Sequence, residues 1–139
     1  MCNYINFEKV NKQFYLFDSW GTMPGSHPCE HYQEDIFNKV KKRFSKYENV
    51  NLIRGLVPDS LGQVQISKIA CLSIDMNGSV AERSALELLY HKIVPGGIIY
   101  FDDYGWEYPD LRITLNEFFA DKPERLLHFP NGNSIVIKL

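Results

Sequence analysis

Short apolar runs alternate along this chain with segments in which apolar residues recur at helical spacing. The runs are rich in branched and aromatic residues and end at aspartate or glycine, a pattern typical of buried strands. It predicts strands over Phe14–Asp18, Val50–Gly55, Lys68–Asp75 and Gly97–Phe101. Pro95-Gly96-Gly97 is expected to start the last of these strands.

The segments between the predicted strands carry helical patterns. Ser79–Lys92 is the clearest, with Ala81, Ala85, Leu88 and Leu89 along its expected apolar side. Helices are also predicted over about His31–Tyr47 and over Leu111–Phe119, and a loop rich in proline and glycine over Ser19–Pro28.

The C-terminal pattern is different, because two apolar runs follow each other with only a turn between them. Arg125–Phe129 and Ser134–Leu139 flank Pro130-Asn131-Gly132-Asn133, and Asn-Gly between such runs is a strong hairpin signal. The whole order predicts an α/β fold: a mostly parallel sheet, covered on both faces, with a C-terminal antiparallel hairpin. Residues 1–139 are expected to form a single domain.

Composition narrows the function only slightly. The 139 residues are 45% hydrophobic and 23% charged, with a net charge of −2, which gives no support for binding to nucleic acid or to a membrane surface. No apolar run approaches the ~20 residues of a spanning helix, and the N-terminus lacks a signal-peptide pattern, so we expect a cytoplasmic protein. Cys71, inside a predicted strand, is expected to be a small core residue.

Aspartates at the ends of the predicted strands are the best chemical clue. Asp75 ends one run, and Asp102 and Asp103 end the next. Ligands of open α/β sheets lie outside the carboxyl ends of the strands, so these three carboxylates can form an oxygen-rich site for Mg²⁺. The alternative for the Asp102-Asp103 pair is a strand-end turn in which the aspartates cap backbone groups.

Other polar residues follow the first two strands. Asp18 ends the first strand, where a carboxylate can accept hydrogen bonds from a ribose. Asp59 can accept from an adenine amino group, or it can cap a short helix together with Ser60. Trp20 can cover a bound base or shield the sheet edge.

Four segments of the chain resemble the macrocin-type O-methyltransferases, a class I family that uses S-adenosylmethionine and includes antibiotic-sugar methyltransferases. They are Phe14–Trp20, Asp59–Leu61, Leu72–Met76 and the most specific, Val94–Gly105, which reads VPGGIIYFDDYG. The resemblance runs from about Phe14 to Leu139. It implies a Rossmann-like class I sheet with an antiparallel final strand.

The resemblance also implies roles for the polar residues. Asp75, Asp102 and Asp103 would hold Mg²⁺, which would bind hydroxyls of a sugar-like small-molecule acceptor, and Asp75 would also serve as the general base. Asp18 would lie near the cofactor ribose, and Asp59 and Ser60 near its adenine.

The chain departs from the family in two places. Asn77 stands where members often carry a second acid. In addition, about a dozen residues precede the first predicted strand and none before Gly21 is a glycine. We therefore expect this sequence to lack the first strand and helix of the family, together with the Gly-rich loop that meets the methionine part of the cofactor. We therefore expect a truncated sheet that either closes up or is covered in a homo-oligomer. An inactive or partner-dependent remnant of the fold is the alternative function, and a receiver-like Mg²⁺ domain is disfavoured because Asp75 precedes the acidic pair.

Overall fold

The computed structural model of the chain describes residues 2–20, 36–105 and 109–139. They form two compact units, Met1–Val64 and Gln65–Leu139. Most of the loop predicted over Ser19–Pro28 and the start of the helix predicted from His31 lie outside the described residues. No helix within the described ranges combines the length and the apolar character that a membrane crossing requires.

The first unit is built on two parallel strands. Strand β1 (Phe14–Asp18) pairs with β2 (Val50–Arg54) from Phe14 opposite Val50 to Asp18 opposite Arg54. Helix α1 (Ile36–Phe44) lies between them in sequence. A 3₁₀ helix precedes β1 at Phe7–Lys9 and another follows β2 at Asp59–Gln63, and no strand is present over residues 2–13.

A small aromatic core and one asparagine hold the N-terminal segment of this unit. Cys2, Phe7 and Tyr47 are buried together. The side-chain amide of Asn49 donates hydrogen bonds to the carbonyl oxygens of Phe7, Val10 and Lys12, at 2.9, 3.1 and 3.1 Å. They add to the backbone bonds that the Phe7 and Val10 carbonyl oxygens accept from Val10 and Lys12, so the segment is fixed without a regular strand or long helix.

The second unit contains a mixed four-stranded sheet in the order β3-β4-β6-β5. β3 and β4 are parallel, whereas β6 runs antiparallel to both β4 and β5. Its elements are β3 (Ile69–Ile74), α2 (Ser79–Leu89), β4 (Ile93–Phe101), α3 (Pro109–Phe119), β5 (Leu127–His128) and β6 (Ser134–Ile137).

The predicted α/β class, parallel strands and C-terminal antiparallel hairpin are confirmed. β4 begins earlier than predicted and includes Pro95-Gly96-Gly97, where its pairing with β3 shifts between Ile69 and Cys71. β1 and β3 belong to different sheets.

The two faces of the four-stranded sheet differ in burial. Phe101 is fully buried and its ring lies 6.2 Å from that of Phe119 in α3, so α3 packs on this face. Cys71, Ile98 and Ile137 are paired across the strands on the opposite face, where Ile98 is 40% and Ile137 44% exposed. The expectation that Cys71 is a core residue is wrong, because alternate residues of a strand face opposite sides and Cys71 lies on the exposed one.

The buried side of α2 also differs from the prediction. It consists of Glu82, Ala85, Leu86 and Leu89, whereas Leu88 is 47% exposed. The buried positions keep the helical spacing, but one of them is a glutamate. The sequence pattern missed this face because a charged residue is expected in solvent.

Candidate functional site

The parallel pairing of β3 and β4 brings three aspartates to one end of the sheet. The last paired residues are Ile74 and Phe101, so Asp75 and Asp102 are the next residues on adjacent strands. The backbone N–H of Asp102 donates to the carbonyl oxygen of Ile74 at 3.2 Å, which holds the two strand ends together. The structure thus brings Asp75, Asp102 and Asp103 together, as the strand-end rule predicts.

These carboxylates are close enough to share a cation. Asp75, Asp102 and Asp103 each offer one oxygen, and the three oxygens all lie within 4.8 Å of one another. Asp75 is exposed and the other two are half-buried. Burial raises the pKa of Asp103, and the negative charges of Asp75 and then Asp102 raise it further. A divalent cation would relieve this repulsion, and an all-oxygen donor set suits Mg²⁺.

Asp102 is held by two neutral donors, one from its own strand β4 and one from the residue before β6. The Tyr100 hydroxyl donates to Oδ1 of Asp102 at 2.8 Å, and Nδ2 of Asn133 donates to the same oxygen at 2.5 Å. Asn133 Nδ2 also donates to the Tyr100 hydroxyl oxygen, which closes a triangle of side chains. Hydrogen bonds to a charged acceptor contribute about 1.5–3 kcal/mol each, so the orientation of this carboxylate is well defined.

A fourth carboxyl group lies beneath the site. The side chain of Glu82 is 1% exposed, and its Oε1 accepts a hydrogen bond at 3.4 Å from the backbone N–H of Met76, the residue after Asp75. Within the described residues its Oε2 has no hydrogen-bond partner. Burial raises the pKa of Glu82 to about 7, and the charges of Asp103 and Asp75 add to the rise. Glu82 is therefore largely protonated below neutral pH.

In the first unit, Asp18 lies at the carboxyl end of β1, as predicted. Its Oδ1 accepts a hydrogen bond from the backbone N–H of Trp20 at 2.7 Å, which leaves Oδ2 as an acceptor. Trp20 is 5% exposed, and its indole N–H donates to the carbonyl oxygen of Ile53 at 3.4 Å. This bond ties the side chain of Trp20 to the end of β2.

Asp59 and Ser60 follow β2 in the same unit. Asp59 is exposed, whereas Ser60 is fully buried and its hydroxyl has no partner among the described residues. A side chain at Gly55 (φ +148°) would place its Cβ 3.0 Å from that of Ser60, so the glycine is needed for this close approach. The short helix begins at Asp59, and the residue at its N-cap position is Pro58. No side chain among the described residues forms a capping hydrogen bond there, so the predicted capping role of Asp59 is not seen.

Sequence reasoning missed Glu82 and Asn133. Asn133 was assigned only to the hairpin turn, although it is 7% exposed and reaches Asp102. For Glu82 the signal is its helical spacing from the buried Ala85, Leu86 and Leu89. For Asn133 it is the predicted hairpin, whose second strand pairs with β4 and so brings the turn close to Asp102.

The amino-acid sequence matches one known protein family over most of its length. The sequence profile described as "Macrocin-O-methyltransferase (TylF)" matches residues 3–124. The chain belongs to the macrocin O-methyltransferase family. Comparison with curated protein sequences gives no match.

Solved structures show the same fold. The O-methyltransferase NovP superposes with a TM-score of 0.76 at 18% identity, over 95% of this chain and 62% of NovP. CalS11, a TDP-rhamnose 3′-O-methyltransferase of calicheamicin biosynthesis, gives 0.64 at 17% identity, over 90% and 57%. The S-adenosylhomocysteine-bound methyltransferase PaMTH1 of Podospora anserina gives 0.68 at 12% identity, over 98% and 64%.

These likenesses place the chain in the Rossmann-like class I methyltransferase fold of its family. The chain spans 62% of the length of NovP and 57% of that of CalS11.

Proposed function

We propose that this macrocin-type family member is a Mg²⁺-dependent O-methyltransferase that uses S-adenosylmethionine and acts on a sugar-like or other hydroxylated small molecule. The observation that carries the proposal is the set of three carboxylate oxygens within 4.8 Å at the strand ends of a chain of this family. The acceptor class is supported by CalS11, whose acceptor is a nucleotide-linked rhamnose.

The carboxylate set fits a hard divalent cation. Asp75, Asp102 and Asp103 would hold it, because all three donors are oxygens. Burial raises the pKa of Asp103, and the charges of Asp75 and Asp102 add to the rise, which a cation would oppose. Bound there, the ion would supply positive charge that lowers the pKa of an acceptor hydroxyl. The exposed position of Asp75 leaves this carboxylate open to the acceptor.

Asp75 is the proposed general base. It would accept the proton that the acceptor hydroxyl loses while its oxygen bonds to the transferred methyl carbon and the sulfur–methyl bond breaks. S-adenosylmethionine, when bound, supplies this electrophilic methyl group. Asp18 would accept hydrogen bonds from the ribose through Oδ2, and the exposed Asp59 would serve the adenine. The hydroxyl of Ser60 is fully buried, so it would reach the adenine only after a local rearrangement.

Calorimetry of the purified chain with Mg²⁺ and with S-adenosylmethionine tests the proposal. We expect heat of binding for both ligands, and loss of the Mg²⁺ signal in Asp103→Asn, because this change removes one ligand charge without changing side-chain size. Asp121→Asn is the matched control, since Asp121 is an exposed aspartate in a surface ion pair with Lys122. Absence of heat and of any thermal shift with both ligands would refute the catalytic proposal for this chain.

A second candidate is a methyltransferase fold that is inactive or needs a partner chain. Two observations favour it: no strand is present over residues 2–13, and β3 lies at the edge of its sheet. An edge strand exposes unpaired backbone groups that another chain can cover, so a homo-oligomer is part of this proposal. Methyl transfer by the purified chain at its monomeric mass, measured by light scattering, would exclude this candidate.

A further inference from the structure

We propose that Asn133 and Tyr100 are positioning residues of the cation site: they hold Oδ1 of Asp102 so that Oδ2 is directed to the bound ion. This inference rests on the proposed function, because it assumes that Asp102 is a cation ligand. It extends the site from the three aspartates to a residue of the C-terminal hairpin, Asn133, which donates a hydrogen bond to Asp102.

Two of the three hydrogen bonds in the triangle end on the same oxygen, Oδ1 of Asp102. The Tyr100 hydroxyl and the Asn133 amide donate to Asp102 Oδ1 at 2.8 and 2.5 Å. A tyrosine hydroxyl has an ordinary pKa of about 10, so it carries its proton at neutral pH and can act as a donor. With Oδ1 occupied by both donors, Oδ2 is the oxygen left to a cation.

The hairpin places Asn133 through backbone bonds, not through Asp102 itself. The carbonyl oxygen of Asn133 accepts from the N–H of Phe129 at 2.9 Å, and its own N–H donates to Oδ1 of Asn131 at 3.4 Å. The turn is tied in addition to the segment after Asp103, since the N–H of Gly105 donates to the carbonyl oxygen of Gly132 at 2.7 Å. The asparagine is thus fixed on both sides before it meets the carboxylate.

Such outer hydrogen bonds tune metal affinity because they orient the ligand. Removing partners of this kind typically weakens metal binding about 10- to 100-fold. Tyr100 and Asn133 act on the same oxygen, so their effects on affinity are expected to be non-additive.

The test is a titration with Mn²⁺, a spectroscopic substitute for Mg²⁺, followed by electron paramagnetic resonance of the free ion. Tyr100→Phe removes a single oxygen and keeps the ring in β4, and Asn133→Ala removes the amide. We expect each variant to bind Mn²⁺ about 10- to 100-fold more weakly than the unaltered chain, and the double variant to be little weaker than the worse single one.

Tyr104→Phe and Asn116→Ala are the matched controls. The Tyr104 hydroxyl donates to Oδ1 of Asn116 at 2.9 Å, so these changes break an equivalent bond that involves no carboxylate. Both controls are expected to keep the affinity of the unaltered chain. Thermal unfolding without metal shows whether each variant is folded; if Asn133→Ala is not, Tyr100→Phe decides the question.

The outcomes separate this inference from the proposed function. If the unaltered chain binds Mn²⁺ and Tyr100→Phe binds it equally well, the positioning role is wrong and the cation site stands. If the unaltered chain does not bind Mn²⁺ at all, both the cation site and the positioning role are overturned.

Discussion

Replacing Glu82 with glutamine should stabilise the metal-free protein at alkaline pH and have little effect at acidic pH. Glu82 is 1% exposed, and among the described residues its side chain accepts one hydrogen bond, from the backbone N–H of Met76. Glutamine has nearly the same shape and can keep that acceptor, but it carries no charge. The substitution therefore isolates the free energy of ionising a buried carboxyl group.

The magnitude follows from the pKa in the two states. Burial, with the charges of Asp103 and Asp75, raises the pKa of Glu82 from 4.5 to about 7. A raised folded-state pKa means that the native protein holds the proton more tightly, so stability is highest below pH 4.5 and falls as the pH rises through 7. At about 1.4 kcal/mol for each pH unit between the two values, the native state loses about 3 kcal/mol by pH 8.

Urea unfolding of both proteins between pH 4.5 and 8.5, in the presence of a chelator, measures this difference. We expect Glu82→Gln to be about 3 kcal/mol more stable than the unaltered chain at pH 8 and within about 0.5 kcal/mol of it at pH 4.5. Glu87→Gln on the same helix is the control, because the side chain of Glu87 is 56% exposed and forms a surface ion pair with Arg83. Such pairs contribute only about 0–1 kcal/mol.

The reasoning fails if the stability difference between Glu82→Gln and the unaltered chain does not change with pH. It also fails if glutamine destabilises the chain at pH 8, since this would mean that the ionised carboxylate makes favourable contacts in the native state. Saturating Mg²⁺ should reduce the difference without removing it, because burial is the larger cause of the raised pKa.

Three other predictions concern packing and charge. Hydrogen bonds from Lys138 and Tyr90 outweigh burial and lower the pKa of Glu124 to about 2. Lys138→Met should therefore reduce the free energy of unfolding in urea at pH 7 by about 3–5 kcal/mol. A loss below about 1 kcal/mol would argue against a stabilising Lys138–Glu124 ion pair. Gly105→Ala would place a Cβ 2.5 Å from Cε1 of His128 and 3.1 Å from Cα of Gly132; we expect a loss of about 1–3 kcal/mol, and an unchanged melting temperature would contradict the close approach. Leu86→Ala should cost about 2–5 kcal/mol and the exposed Leu88→Ala less than about 1 kcal/mol, whereas equal losses would mean that the buried face of α2 is misassigned.

Much of the fold follows from local signals in the sequence. β1 covers the predicted residues Phe14–Asp18, and the Asn131-Gly132 turn joins β5 to β6 as predicted. These elements depend on short-range properties: alternation with loops, strand propensity and turn chemistry. The grouping of Asp75 with Asp102 and Asp103 can also be predicted from the sequence, because neighbouring parallel strands end at the same edge of a sheet.

The supports around the aspartates were decided only by the tertiary structure. Asn133 reaches Asp102 because β6 pairs antiparallel with β4, a contact between residues 31 positions apart in the chain. Glu82 is buried because α2 turns that side inward, where helical spacing places it beside Ala85, Leu86 and Leu89. Residue types and short-range patterns determine which helices and strands form and which strand ends carry the aspartates. The burial of Glu82 and the hydrogen-bond partners of Asp102 arise from packing between segments that are distant in sequence. Only the folded chain brings those segments together.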